Sequence, residues 1–175
     1  LTIKNLTLNN PKIAYDIEDK TSGGAGVGAF FGFCDAFNKI LLENCHINIT
    51  GENSYSYILT FLTLILGNTV CVPIDKELLF PDINGILNTS DSELIFCDKH
   101  LLKVLERDKM NPDIKIVCFD YEEDEDGILS FSKLVAKGRE LLAAGNKEYL
   151  NAEIDPDKLC SLLFTSGTTG NSKGV

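Results

Sequence analysis

From residue 47 onward, short apolar runs alternate with longer segments of helical character, the pattern of a parallel sheet covered by helices. Ile47-Asn48-Ile49 reads as a strand that ends at Gly51-Glu52-Asn53-Ser54. Asn53 or Ser54 caps the helix that follows. Apolar positions cover nearly the whole surface of that helix, which predicts burial, and Gly67-Asn68 stops it. Residues 69–74 read as the next strand, and a helix from about Phe80 to Asn88 carries Pro81 in its first turn. Residues 93–97 form a strand, Lys99 to Lys109 an amphipathic helix, and residues 114–119 a further strand. An acidic loop spans Asp120 to Asp126. A helix then runs from Phe131 to Ala144 with Gly145 as its stop, and Leu159 to Phe164 reads as a buried strand.

The first 45 residues are less regular. Residues 12–17 alternate like an edge strand, and Phe30 to Glu43 is helical in pattern. Between them, Gly24, Gly26 and Ala29 satisfy the loose dinucleotide pattern G-x-G-x-x-G/A. That site needs an acid about 20 residues on to hold a ribose hydroxyl. The following strand ends in Thr50-Gly51 instead, so Gly23–Gly28 reads as a loop. The acidic run Asp120–Asp126 has neither the glycine nor the terminal glutamate that an EF-hand requires, and reads as a solvated surface.

Composition narrows the field. The 175 residues are 44% hydrophobic and 24% charged, an ordinary globular balance in a chain long enough for one cored domain. A net charge of −10 argues against nucleic acid, whose binding rests on Lys and Arg at phosphates, but leaves room for a small nucleotide. The six cysteines form no C-x-x-C pair and several sit in apolar runs, which predicts buried free thiols and a cytoplasmic location. The longest greasy stretch, residues 57–66, falls short of the roughly 20 residues that span a bilayer. His46 and His100 are too isolated to suggest zinc.

The chemistry concentrates at the end of the chain. Thr165-Ser166-Gly167-Thr168-Thr169-Gly170-Asn171-Ser172-Lys173-Gly174-Val175 follows directly on the last apolar run. Glycines let backbone N–H groups turn toward an anion, hydroxyls add neutral donors, and Lys173 adds positive charge. This is the chemistry of a polyphosphate-holding loop. The P-loop motif G-x-x-x-x-G-K-[ST] fails on it. Gly167 and Lys173 are correctly separated, but Ser172 replaces the second glycine and Gly174 the magnesium-binding hydroxyl.

Leu163 to Gly170, together with Lys173-Gly174-Val175, resembles the phosphate-loop signature of the AMP-forming adenylating enzymes: acyl-CoA synthetases, peptide-synthetase adenylation domains and firefly luciferase. Ser172 departs from it, standing where that family usually has proline. The resemblance reaches back to about residue 45 through Gly51-Glu52-Asn53-Ser54 and Gly67-Asn68-Thr69-Val70-Cys71-Val72-Pro73-Ile74-Asp75-Lys76-Glu77-Leu78. The last six of these residues are closer in wording to acyl-CoA synthetases. The resemblance implies an α/β fold, a parallel sheet flanked by helices that is part of the N-terminal domain of an adenylate-forming enzyme. It divides the chain into an edge region (1–45), an α/β subdomain (46–164) and a phosphate-binding loop (165–175).

The resemblance also implies an ATP-dependent ligase that activates a small carboxylate as an acyl adenylate and passes it to a thiol of coenzyme A or a carrier, with fatty acids among the expected substrates. Thr165, Ser166, Thr168 and Thr169 would donate hydroxyls, Gly167, Gly170 and Gly174 would bend the loop, and Lys173 would offset phosphate charge. Family features expected downstream are a magnesium-binding glutamate, a ribose-binding aspartate, a catalytic lysine, the carboxylate pocket and the small C-terminal domain. These 175 residues are therefore expected to be an inactive N-terminal fragment with most Mg2+ ligands elsewhere. Two other readings stay open: a noncatalytic α/β binding or interaction module, and an oxidoreductase using the Gly24 loop.

Overall fold

A computed structural model describes residues 46–67, 69–147, 151, 155, 157–165 and 173–174. The expected edge strand at 12–17, the helix at 30–43 and the Gly23–Gly28 loop lie outside these. The described chain is an α/β layer built on five parallel strands: β1 (His46–Ile49), β2 (Val70–Pro73), β3 (Ser92–Cys97), β4 (Lys115–Cys118) and β5 (Leu129–Ser130). Their order is β2-β1-β3-β4-β5. The helices are α1 (Tyr55–Leu66), α2 (Phe80–Thr89), α3 (Lys99–Leu102) and α4 (Phe131–Ala143).

Alternation along each strand divides the apolar residues between two cores. One face sends Val72, Ile95, Cys97, Ile116 and Cys118 against Ile83 and Leu87 of α2 and Leu101 of α3. The other sends Ile47, Ile49, Leu94, Phe96 and Val117 against Leu59 and Leu64 of α1 and Phe131 and Leu134 of α4. A sheet buried on both faces explains why its strands read as near-continuous apolar runs. On the α4 side, Phe119 stacks on Phe96 (5.8 Å between centroids) and meets the Phe131 ring at 73°. Local signals behave as the sequence predicts at most ends. Ser54 accepts a hydrogen bond from the Tyr57 N–H, Pro81 sits in the first turn of α2, and Gly145 leaves α4 at φ +83°.

Four expectations change. The helix expected over Lys99–Lys109 stops at Leu102 and resumes as a 3-10 turn at Arg107–Lys109. Burial of Leu101, Leu105 and Met110 in one core, with the Arg107 guanidinium donating to the Asp126 carbonyl (2.6 Å), outweighs the propensity to continue. The two-residue β5 had no sequence counterpart, because two residues carry no periodicity. Helix α1 is buried on one side only. Its first turn leaves the carboxyl end of the sheet with Tyr55 and Ile58 exposed.

The segment Leu159–Phe164 is not a buried strand. It lies along the outer edge of β2 through a single parallel bridge, Cys71 to Ser161. The Cys71 N–H donates to the Cys160 carbonyl and the Leu162 N–H to the Cys71 carbonyl, both at 2.9 Å. Leu162 and Phe164 pack against the core, whereas Leu159 and Leu163 remain about half exposed (52% and 51%). Cys71, Cys97 and Cys118 are free and buried, as their apolar context predicts, but Cys160 is exposed. Cys34 and Cys45 lie outside the described residues. No described helix is long and apolar enough to cross a membrane.

Candidate phosphate-binding hairpin

A parallel sheet in the order 2-1-3-4-5 reverses its winding between β1 and β3, and the crevice beyond the carboxyl ends of those strands is the usual ligand position. Here that crevice is filled by the protein's own polar groups. The Asp98 carboxylate accepts hydrogen bonds from the N–H of Glu52 (3.0 Å) and of Leu101 (2.8 Å). Gly51 makes this fit possible. It adopts φ +140°, and a Cβ there would stand 3.1 Å from Asp98 Oδ2. Two acidic side chains, Glu52 and Asp98, therefore occupy the place a mononucleotide phosphate would take, and like charge repels it.

The hydroxyl- and glycine-rich segment lies on the opposite side of β2. Beyond the bridge at Ser161 the chain enters a two-stranded antiparallel hairpin, β6 (Phe164–Thr165) and β7 (Lys173–Gly174). Phe164 is paired with Gly174 and Thr165 with Lys173. Of the sequence-predicted site residues, Thr165, Lys173 and Gly174 are thus brought together. Ser166, Gly167, Thr168, Thr169 and Gly170 lie outside the described residues. Thr165 is exposed and available to a ligand.

Gly174 has a packing role that the sequence did not suggest. It stands in a strand, and a Cβ there would come within 3.0 Å of Leu162 Cδ1 and 3.5 Å of Phe164 Cζ. Close approach of β7 to the edge segment accounts for the glycine.

The edge segment runs parallel to β2, so the hairpin emerges at the carboxyl end of the sheet, where residues 75–77 leave β2. There Lys76 Nζ donates to Glu52 Oε1 at 2.6 Å, and this hydrogen bond holds the Lys76 ammonium above its ordinary pKa. The Asp75 carboxylate accepts from the N–H of Glu77 (3.0 Å). Sequence reasoning gave Lys76 no role. The available signal was its place just past the carboxyl end of a parallel strand, where ligands of α/β sheets gather.

At the far edge of the sheet a second polar cluster is structural. The Ser130 hydroxyl caps α4 and donates to the Tyr121 carbonyl (2.6 Å), while the Ser130 N–H donates to Asp124 (2.8 Å). That backbone bond, reinforced by Lys133, holds the Asp124 carboxyl below its ordinary range. Among the described residues no group of three His, Cys, Asp or Glu side chains is placed to hold a metal ion.

Comparison with known proteins agrees with this geometry. The AMP-binding enzyme family matches residues 42–175. Luciferin 4-monooxygenase of Photuris pensylvanica is 25% identical over 144 residues, 81% of this chain and 26% of its own. A medium-chain-fatty-acid–CoA ligase of Ectopseudomonas oleovorans is 24% identical over 124 residues, 70% of this chain and 22% of its own. The chain spans about a quarter of the length of the curated relatives it matches. The anthranilate CoA ligase AuaEII, solved with anthranoyl-AMP, superimposes with a TM-score of 0.68 at 20% identity, over 85% of this chain and 28% of that one, a likeness of fold. The resemblance carried by the terminal signature therefore holds over most of the sequence, and the chain belongs to the AMP-binding enzyme family.

Proposed function

We propose that this chain is the nucleotide-gripping portion of an ATP-dependent, AMP-forming carboxylate ligase, in which residues 165–174 hold the phosphates of ATP. In the whole enzyme a carboxylate attacks the α-phosphorus of ATP in line, releasing pyrophosphate and forming an acyl adenylate. A thiol then attacks the acyl carbon and AMP departs. Negative charge accumulates on the departing pyrophosphate in the first step. Oriented N–H groups, hydroxyls and a lysine stabilise that charge without rearranging, and one such donor is worth about 3–4 kcal/mol in enzymes where it has been removed.

The observation that carries this reading is the pairing of Thr165 with Lys173 across the mouth of the hairpin, which sets a hydroxyl-bearing residue and a lysine on facing strands. Within the signature, Thr165, Ser166, Thr168 and Thr169 are the proposed hydroxyl donors. Gly167 and Gly170 shape the loop, Lys173 faces the β and γ phosphates, and Gly174 anchors the returning strand. The donor set fits a polyphosphate. Magnesium would add charge neutralisation between the phosphates, with its carboxylate ligands outside these residues. An acyl-CoA synthetase acting on a fatty or similar acid is the reading favoured by the wording of residues 73–78 and by the medium-chain-fatty-acid relative.

Carboxylate-dependent exchange of pyrophosphate into ATP, measured on the full enzyme that carries this sequence, tests the assignment. Lys173→Ala should slow exchange at least about tenfold. Unchanged exchange would remove Lys173 from the site. The isolated 175 residues should make no acyl adenylate, and AMP release by them would contradict the proposal.

A further inference from the structure

We infer that Lys76 is a second cation of the phosphate site, held by Glu52 until a polyphosphate arrives between the hairpin and the end of β2. The inference rests on the hairpin being a phosphate site, and begins with register. Ser161 is bridged in parallel to Cys71, so four residues further along each chain Thr165 stands level with Asp75, and Lys76 follows at once. Packing agrees with register. Leu162 and Phe164 of the edge segment and Leu78 just past Lys76 all rest on the core that contains Val72, Ile74 and Phe80. The turn carrying Lys76 is therefore the neighbour of the hairpin.

Charge gives this position its meaning. The carboxyl end of the sheet presents Glu52, Asp75, Glu77, Asp98 and Asp120, an environment hostile to phosphate. The other described lysines at that end are Lys99, beside β3 with its Nζ over the Tyr121 ring, and Lys133, beyond β5 and engaged by Glu123 and Asp124. Strands lie about 4.8 Å apart, so in this strand order Lys99 is roughly 10 Å and Lys133 roughly 19 Å further from the hairpin side. Lys76 is the one placed to serve it. Its pairing with Glu52 is exposed, the side chains being 42% and 71% accessible, and exposed pairs of this kind hold weakly. An incoming phosphate oxygen, carrying more charge than one carboxylate oxygen, displaces Glu52 at little cost.

Titration of the 175-residue chain with inorganic tripolyphosphate, followed by calorimetry, tests this with four variants. Lys76→Ala should weaken binding about fivefold, Lys76→Arg should retain most of it, and Glu52→Gln, which frees the lysine, should tighten it about twofold. If the ion pair only braced the fold, Lys76→Ala and Glu52→Gln would shift binding in the same direction, and that result overturns the inference. So does wild-type affinity in Lys76→Ala while Lys173→Ala binds weakly, an outcome that leaves the phosphate-site reading standing. Loss of tripolyphosphate binding by the wild type itself would defeat both. Urea melts of each variant identify any loss that comes from unfolding.

Discussion

Asp98, at the end of β3, fastens the loop that leaves β1 by accepting the Glu52 N–H at 3.0 Å. The same carboxylate caps α3 through the Leu101 N–H. One side chain thus ties together the two strands that flank the winding reversal of the sheet. Removing it leaves two backbone donors without their partner, a loss of about 1–3 kcal/mol. Asp98→Ala should lower the urea midpoint accordingly, while Asp98→Asn, which keeps an acceptor, should lose less. Gly51→Ala should be at least as damaging as Asp98→Ala, since it forces a side chain into φ +140° and against Asp98.

Asn48 points the other way. It is fully buried in the central strand, and neither its amide nitrogen nor its oxygen has a hydrogen-bond partner. A buried polar group in that condition costs about 1–3 kcal/mol, so Asn48→Leu should raise the denaturation midpoint. A fall in midpoint would mean that the amide is satisfied in solution.

Gly174 should tolerate substitution poorly for reasons of space. Alanine would press on Leu162 Cδ1, a side chain able to yield, and valine would not fit without opening the hairpin. Hydrogen exchange should therefore accelerate about tenfold at residues 164–165 and 173–174 in Gly174→Val, with β1, β3 and β4 unchanged.

Asp124 predicts a pH response at the β5 edge. Its carboxyl is held below the ordinary value, first by the Ser130 N–H and then by Lys133. The folded state thus favours the ionised form. The resulting stability is present above about pH 3.9, the value in an unfolded chain, and is lost as pH falls through the lower folded value. Exposure of the side chain keeps the effect small, so it is best read locally, from the amide resonance of Ser130. That resonance should titrate below pH 4 in the wild type and not in Asp124→Asn.

Thiol chemistry separates the cysteines. Burial pushes the Cys71 thiol up to about 12 and raises Cys97 and Cys118 as well, which leaves little thiolate near neutral pH. Among these four, Cys160 alone should be alkylated by iodoacetamide in the native state, with the other three reacting after denaturation, as peptide mapping would show.

The sequence made the sheet legible because a strand buried on both faces is an unmistakable apolar run, and four of its five members are such runs. Caps at Ser54 and Gly145 were legible for the same local reason. What escaped was decided at a distance. The break after Leu102 depends on where Leu105 and Met110 find their core, and the exposure of Leu159 and Leu163 depends on an edge position that no run of residues encodes. The phosphate segment announced itself through composition, whereas Lys76 and Asp98 gain meaning only when strand order brings their ends together.

That order has a consequence for how the molecule assembles. The first described strand is flanked by the second and third, the fourth joins the third, and the fifth joins the fourth. Each newly made strand finds a free border waiting, and none must be wedged between partners already joined. A nascent chain emerging from the ribosome can therefore extend its sheet outward in the order of synthesis, and the phosphate hairpin, attached last to the border of β2, is the piece whose arrival completes it.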